Sequence, residues 1–192
     1  MKTSILSPEH FQTSQWSGGS TAQLYIFPAN ATYAARDFEL RLSTAKVEVE
    51  ESTFTALSGI QRKLMILEGA ISITHEGKYS EHLKPFEVDE FSGDWKTTAI
   101  GTCTDFNVMW IGQQQNELYH IAVGKTGCYT LKPRKECKKL FLYATSGSIM
   151  LQLLDENYIL KTENLMVIED LSISSIAINS DSGFGVVVLE MY

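Results

Sequence analysis

Two arginines and two short polar side chains carry the chemistry that this sequence suggests. Arg41 and Ser43 alternate with Leu40, Leu42 and Thr44, and Asp105 and Asn107 alternate with Phe106 and Val108. Period-two alternation marks a strand, in which successive side chains point to opposite faces. Arg41 therefore shares a face with Glu39, Ser43 and Ala45, and Asp105 shares one with Asn107. If both polar faces line one barrel together with Arg62, they form a pocket for a small polar ligand. A guanidinium fixed inside such a barrel presents a planar fork of donors that matches a carboxylate, so the implied ligand is anionic. Asp105 and Asn107 would orient the arginines or accept a hydrogen bond from a ligand amide or ring nitrogen. The competing reading is structural: each arginine pairs with an internal acid, Asp94 or Asp105, and ties strands together. Asp105 and Asn107 then serve only strand-end or turn hydrogen bonds.

Other candidates are weaker. Trp16 precedes a Gly-rich loop and could wall the pocket, although packing onto the outside of a barrel serves a tryptophan equally well. The loop Ser17-Gly18-Gly19-Ser20-Thr21 lacks the lysine and the following helix of a phosphate loop, which leaves Thr21 as a ligand contact. Ser43 has no histidine at a defined spacing and is a hydrogen-bond donor, not a nucleophile. His75 and His82 flank a polar turn, where histidines are usually exposed. The four histidines, His10, His75, His82 and His120, are scattered, and three widely spaced cysteines, Cys103, Cys128 and Cys137, form no CxxC motif. Neither a metal site nor a disulfide framework nor a cofactor is expected.

The elements that must position these residues are strands. Of 192 residues, 44% are hydrophobic, enough for a core, and the net charge is −7 with lysines and arginines only in short groups. Nucleic-acid binding is therefore not expected. No window approaches the roughly 20 apolar residues of a membrane span and no signal-peptide core is evident, which points to a soluble cytoplasmic protein. Short runs rich in Val, Ile, Leu, Tyr and Phe, separated by turn residues, follow one another from Leu24 onward. Glu9 to Trp16 reads as at most a short helical turn.

An internal repeat organises these runs. Leu64-Met65-Ile66-Leu67-Glu68-Gly69-Ala70-Ile71-Ser72-Ile73 parallels Leu142-Tyr143-Ala144-Thr145-Ser146-Gly147-Ser148-Ile149-Met150-Leu151. Gly69 and Gly147 read as tight hairpins, and polar turns follow at Glu76-Gly77-Lys78 and Asp155-Glu156-Asn157. Gln113-Gln114-Gln115-Asn116 reads as the linker. The expected organisation is all-β, a cupin-like β-barrel or jelly roll repeated twice in one chain (a bicupin). Residues 1–115 would form the unit with the candidate pocket and 116–192 a second unit packed against it. A single extended β-sandwich is the alternative.

Six motifs in order carry a family resemblance: Trp16 to Thr21, Arg41 to Ala45, Phe54 to Gly59 followed by Arg62, Leu67-Glu68-Gly69, Phe91-Ser92-Gly93-Asp94, and Asp105 to Met109. Together they resemble the HutD/Ves family of cupin-fold proteins, specifically over Trp16 to Met109 and more weakly to Tyr192. The resemblance implies a cytoplasmic bicupin without an established enzymatic activity. One branch is associated with histidine utilisation and is thought to bind or sense an intermediate such as urocanate or formylglutamate. The histidines and glutamate of metal-binding cupins are missing: Ile60-Gln61-Arg62-Lys63 follows Gly59, and Asp94-Trp95-Lys96-Thr97-Thr98 follows Gly93.

The reading that joins these observations is a metal-free cupin-fold protein that binds a small anionic metabolite through Arg62, Arg41, Asp105, Asn107 and Ser43, with Asp94, Trp16 and Thr21 nearby. It would act as a regulator or sensor linked to histidine utilisation. One alternative is a metal-independent isomerase or lyase using Asp94, Asp105 or a histidine as general base on a carboxylate substrate. Another is a homodimeric or stress-related interaction module that pairs through an exposed sheet edge.

Overall fold

A computed structural model describes residues 1–124 and 127–192. The chain forms two compact units, Phe11–Gln113 and Met1–His10 with Gln114–Tyr192. The chain opens with strand β1 (Lys2–Leu6) and a 3-10 turn at Pro8–His10. The first unit contains β2 (Gln12–Trp16), β3 (Gly19–Phe27), β4 (Leu40–Val47), β5 (Glu51–Thr53), β6 (Ile60–Gly69), β7 (Ile71–His75), β8 (Tyr79–Leu83), β9 (Val88–Ser92), β10 (Thr97–Ile100) and β11 (Cys103–Ile111). The second contains β12 (Asn116–Val123), β13 (Gly127–Leu131), β14 (Lys139–Ser146), β15 (Ser148–Leu153), β16 (Glu156–Lys161), β17 (Leu165–Glu169), β18 (Ile176–Ser180) and β19 (Phe184–Met191). No helix among the described residues is long and apolar enough to cross a membrane.

Each unit is a pair of antiparallel sheets with the same strand order. The first unit orders its sheets β2-β3-β4-β11-β6-β9 and β5-β10-β7-β8; the second orders them β1-β17-β14-β19-β12 and β13-β18-β15-β16. Reading β4, β11, β6, β9 against β12, β19, β14, β17, and β5, β10, β7, β8 against β13, β18, β15, β16, the two match strand for strand. The fold is all-β and cupin-like, as the repeat implied. Two extensions differ. The hairpin β2–β3 widens the first unit beside β4, whereas β1 pairs with β17 from Lys2↔Glu169 to Leu6↔Leu165. Met1–His10 thus lie with the second unit, whereas the sequence pattern groups them with the first.

Two local expectations are corrected. Gln12–Trp16 is an edge strand, not helix: its five residues are exposed, so no apolar period marks it, and backbone pairing with β3 holds it. Gly69 and Gly147 are not hairpins. Each is the corner at which the chain leaves one sheet and enters the other, with φ of 79° and 78°. A Cβ there would overlap the carbonyl oxygen of Thr102 or of Gly183, so both the left-handed backbone and the close approach require glycine.

Both units carry a β-bulge just before that corner. Asp105 pairs with Ile66 and Thr104 with Glu68, leaving Leu67 as the extra residue. In the second unit Val186 pairs with Ala144 and Gly185 with Ser146, leaving Thr145. The interiors differ in content. Leu64, Ile66, Ile71, Ile73, Leu83, Phe91, Ala99 and Cys103 fill one part of the first unit, whereas the second holds a continuous aliphatic cluster including Leu140, Leu142, Ile149, Leu151, Met166, Ile168, Val186 and Val188.

Candidate functional site

Strand register gathers the polar side chains onto one face. On β11, Asp105, Asn107 and Met109 stand opposite Ala45, Ser43 and Arg41 of β4 on one side. On the other side they face Ile66, Leu64 and Arg62 of β6. Beyond β4, β3 contributes Thr21 and Gln23 opposite Ala45 and Ser43, and beyond β6, β9 places Phe91 opposite Arg62. Phe106 and Val108, one residue out of phase, are buried on the reverse face, as alternation requires.

Both arginines are buried, Arg41 at 6% and Arg62 at 5% relative exposure. Arg41 is held: Nε donates to Gln23 Oε1 at 2.9 Å and Nη1 to Ser43 Oγ at 3.0 Å, with Met109 Sδ at 4.0 Å. The Tyr33 ring covers its guanidinium, 4.5 Å from centroid to Cζ. Arg62 is held by rings: its Cζ lies 4.9 Å from the centroid of Phe54 and 5.1 Å from that of Phe91. Aromatic faces attract a cation without occupying its N–H groups. Accordingly Arg62 Nε, Asp105 Oδ1 and Asn107 Oδ1 are buried without a hydrogen-bond partner among the described residues. Leaving such atoms unpaired is costly, and proteins concentrate such atoms at sites that receive a ligand or water.

The electrostatics follow from burial. Loss of solvent lowers the Arg62 pKa to about 10; the Asp105 charge and the Tyr33 phenol oppose that fall and Arg41 adds to it, so the guanidinium stays charged at neutral pH. Burial also lowers that of Arg41. Asp105 is driven the other way: burial raises its carboxyl to about 7, against the pull of Arg62 and a hydrogen bond from the Ala45 backbone N–H. Arg62 and Asp105 feel each other through space without an ion pair among the described residues. The site thus combines two fixed cations with one carboxyl that changes protonation near neutrality. Such a set can clamp an anion and exchange a proton with it.

The remaining sequence candidates lie at different distances from this cluster. Thr21 and Ser43 share its face. Asp94 is exposed and braces a turn, accepting from Ser92 Oγ at 3.2 Å and the Gly59 N–H at 3.3 Å; the Ser58 hydroxyl bond and the Gly59 N–H hold its pKa down. The exposed Trp16 lays its ring over Gly18. Gln23, Tyr33, Phe54 and Phe91 are contacts that sequence reasoning did not select. Gln23 and Phe91 were readable only through strand register, and Tyr33 comes from a loop.

His75 overturns its expectation of exposure. It ends the inward alternation Ile71, Ile73, His75 and is 1% exposed, with Nε2 2.8 Å from Asp89 Oδ2 and Nδ1 2.8 Å from Thr97 Oγ1. Tyr79 Oη donates to Asp89 Oδ1 at 2.6 Å. His82, by contrast, is exposed beside Ser72. Phe91 touches both polar groups, its centroid 4.6 Å from the His75 ring.

Comparison with curated proteins gives no match. Among solved structures, a conserved protein of unknown function from Pseudomonas aeruginosa PAO1 superposes with a TM-score of 0.83 at 21% identity, over 100% of this chain and 99% of its own. HutD from Pseudomonas fluorescens SBW25, in a formate condition, gives 0.71 at 18% identity over 100% of both chains. The bacterial pirin YhhW from Escherichia coli, in complex with nickel(II), gives 0.71 at 12% over 98% of both. These likenesses establish the shared cupin-like fold. Among the described residues of this chain no three His, Cys, Asp or Glu side chains converge, and the sheet face that carries the candidate site presents two guanidinium cations, a donor set that does not fit a metal ion. The HutD family profile matches residues 8–184, nearly the whole length, and the chain belongs to the HutD family.

Proposed function

We propose that the first unit binds a small carboxylate-bearing metabolite on Arg62 and Arg41, and that this cytoplasmic protein acts through ligand level as a sensor or regulator linked to histidine utilisation. The observation that carries the reading is Arg62: a buried guanidinium braced by two rings, with Nε unpartnered, on the same sheet face as the unpartnered Oδ1 atoms of Asp105 and Asn107. The structural reading of the arginines requires an ion pair with an internal acid. Arg41 is bonded instead to Gln23 and Ser43, and Asp94 braces a turn. Membership of the HutD family supports the link to histidine utilisation, and the HutD structure from P. fluorescens in a formate condition supplies the smallest carboxylate as a probe.

Titration calorimetry with formate, urocanate, formylglutamate and histidine tests the proposal. At least one carboxylate should bind, and Arg62→Ala should abolish or strongly weaken that binding. No heat from any of the four would remove the reading.

Asp105 favours a second reading, in which a metal-independent isomerase or lyase uses it as general base on a carboxylate substrate, since a carboxyl near pH 7 is matched to proton transfer. Turnover of a bound carboxylate that is lost in Asp105→Asn, with binding retained, would select it.

A further inference from the structure

We infer that Tyr33 is a ligand-contacting residue of the anion site and sets which carboxylates the site accepts, by occupying the face of Arg41 that an aromatic acid would otherwise cover. The inference rests on the proposed anion site and adds a specificity element to it.

Three observations converge on this side chain. Among the residues seen to touch either guanidinium, Tyr33 is the exposed one, at 38%, while Arg41 and Arg62 are at 6% and 5%. Its ring therefore spans from the buried cations to solvent. It lies 4.5 Å from Arg41 Cζ, and its phenol is close enough to act on the charges of both arginines. The loop that carries it is held in place: the Thr32 N–H donates to Asp37 Oδ1 at 2.8 Å, the Ala35 N–H to Thr32 Oγ1 at 3.1 Å, and the Glu39 N–H to the Phe27 carbonyl at 2.7 Å. On either side of Tyr33, Ala31 and Phe38 are buried with Leu57, Ile60 and Met109.

The consequence is geometric. Phe54 and Phe91 cover the Arg62 guanidinium and Tyr33 covers that of Arg41, so an incoming anion meets guanidinium edges between aromatic walls. A compact carboxylate fits that approach. An aromatic carboxylate would gain further by stacking its ring on a cation face, and Tyr33 already holds one face of Arg41. Removing the Tyr33 ring frees that face for the ligand.

The test is calorimetric titration of formate, acetate and benzoate into the wild type, Tyr33→Ala and Tyr33→Phe, with thermal melting to establish that the exposed-loop variants fold. The expected result is a shift of at least tenfold in the formate-to-benzoate affinity ratio toward benzoate in Tyr33→Ala, with the ratio kept in Tyr33→Phe. A purely structural loop residue would weaken all three acids alike and leave the ratio in place. Formate binding by the wild type with a ratio unchanged in Tyr33→Ala overturns the role of Tyr33 alone. Failure of the wild type to bind any of the three overturns the anion site and this inference with it.

Discussion

The two units set different side chains on the same strand frame. Where the first has Arg41, Met109 and Arg62 in one row across β4, β11 and β6, the second has Glu117, Glu190 and Leu140 across β12, β19 and β14. The next row pairs Ser43, Asn107 and Leu64 with Tyr119, Val188 and Leu142, and the third pairs Ala45, Asp105 and Ile66 with Ile121, Val186 and Ala144. The second unit keeps one buried acid in these rows, Glu190, and satisfies it with Tyr119 Oη at 2.8 Å and the Arg134 backbone N–H at 2.9 Å. The first keeps Asp105 and Asn107 with an unpaired oxygen each, beside the unpaired Arg62 Nε. One frame supports a packed aliphatic interior and a polar one, so the polar groups are not demanded by the fold. This contrast is what the proposed carboxylate site in the first unit rests on.

Substitutions that exchange features between the units test that contrast. The largest effect belongs to packing. Leu142→Ala in the aliphatic interior should cost about 2–5 kcal/mol of stability by urea unfolding, while leaving formate affinity at the first unit unchanged; a loss of affinity would show that the second unit is more than a packed core. Asp105 against its counterpart Val186 comes next. Its folded-state value of about 7 lies above the ordinary 3.8, so the folded chain holds a proton that the unfolded chain releases. That contribution to stability is complete below about pH 4 and is lost as pH rises through 7. Replacing the carboxyl by Asp105→Asn removes this decline, and the stability difference between variant and wild type should widen from pH 4 to 7, toward about 4 kcal/mol, then stay level. Formate affinity of the wild type should fall above pH 7, because an ionised Asp105 opposes an anion, and Asp105→Asn should flatten that fall.

Arg62→Leu installs the residue of the second unit and should weaken carboxylate binding by about 1.5–3 kcal/mol. Unchanged affinity would return Arg62 to a structural role. The smallest effect is expected from Ser43→Ala, which removes one hydrogen bond to Arg41 and should cost about 1 kcal/mol of binding, measured in the same titrations.

Much of this contrast was legible in the sequence, for identifiable reasons. Alternation in Asp105–Met109 and Arg41–Ala45 sets the face of each side chain directly, and the glycines at 69 and 147 anchor the repeat. What was not legible depends on register between distant strands or on loops. Tyr33 reaches Arg41 from a loop with no periodic signal. His75 sits beside a polar turn, and its burial follows from Asp89 and Thr97, supplied by other strands. Gln12–Trp16 has no apolar period because an exposed edge strand needs none.

Strand β6 gives the arginine site something like a reading frame. Side-chain direction in a strand has period two, and the bulge takes up one extra residue so that the ladder resumes with Ile66 opposite Asp105. Arg62, Leu64 and Ile66 point in. Deleting Leu67, with Gly69 pinned at its corner, would leave an unbroken ladder in which Ile66 still pairs with Asp105 and Arg62 still points in, whereas deleting a residue between Arg62 and Ile66 would turn Arg62 out and bring Gln61 inward. The site is therefore specified by chain length as well as by residue type: point changes along β6 alter one contact each, whereas a single-residue deletion between Arg62 and Ile66 exchanges the lining upstream of it, and one at the bulge does not.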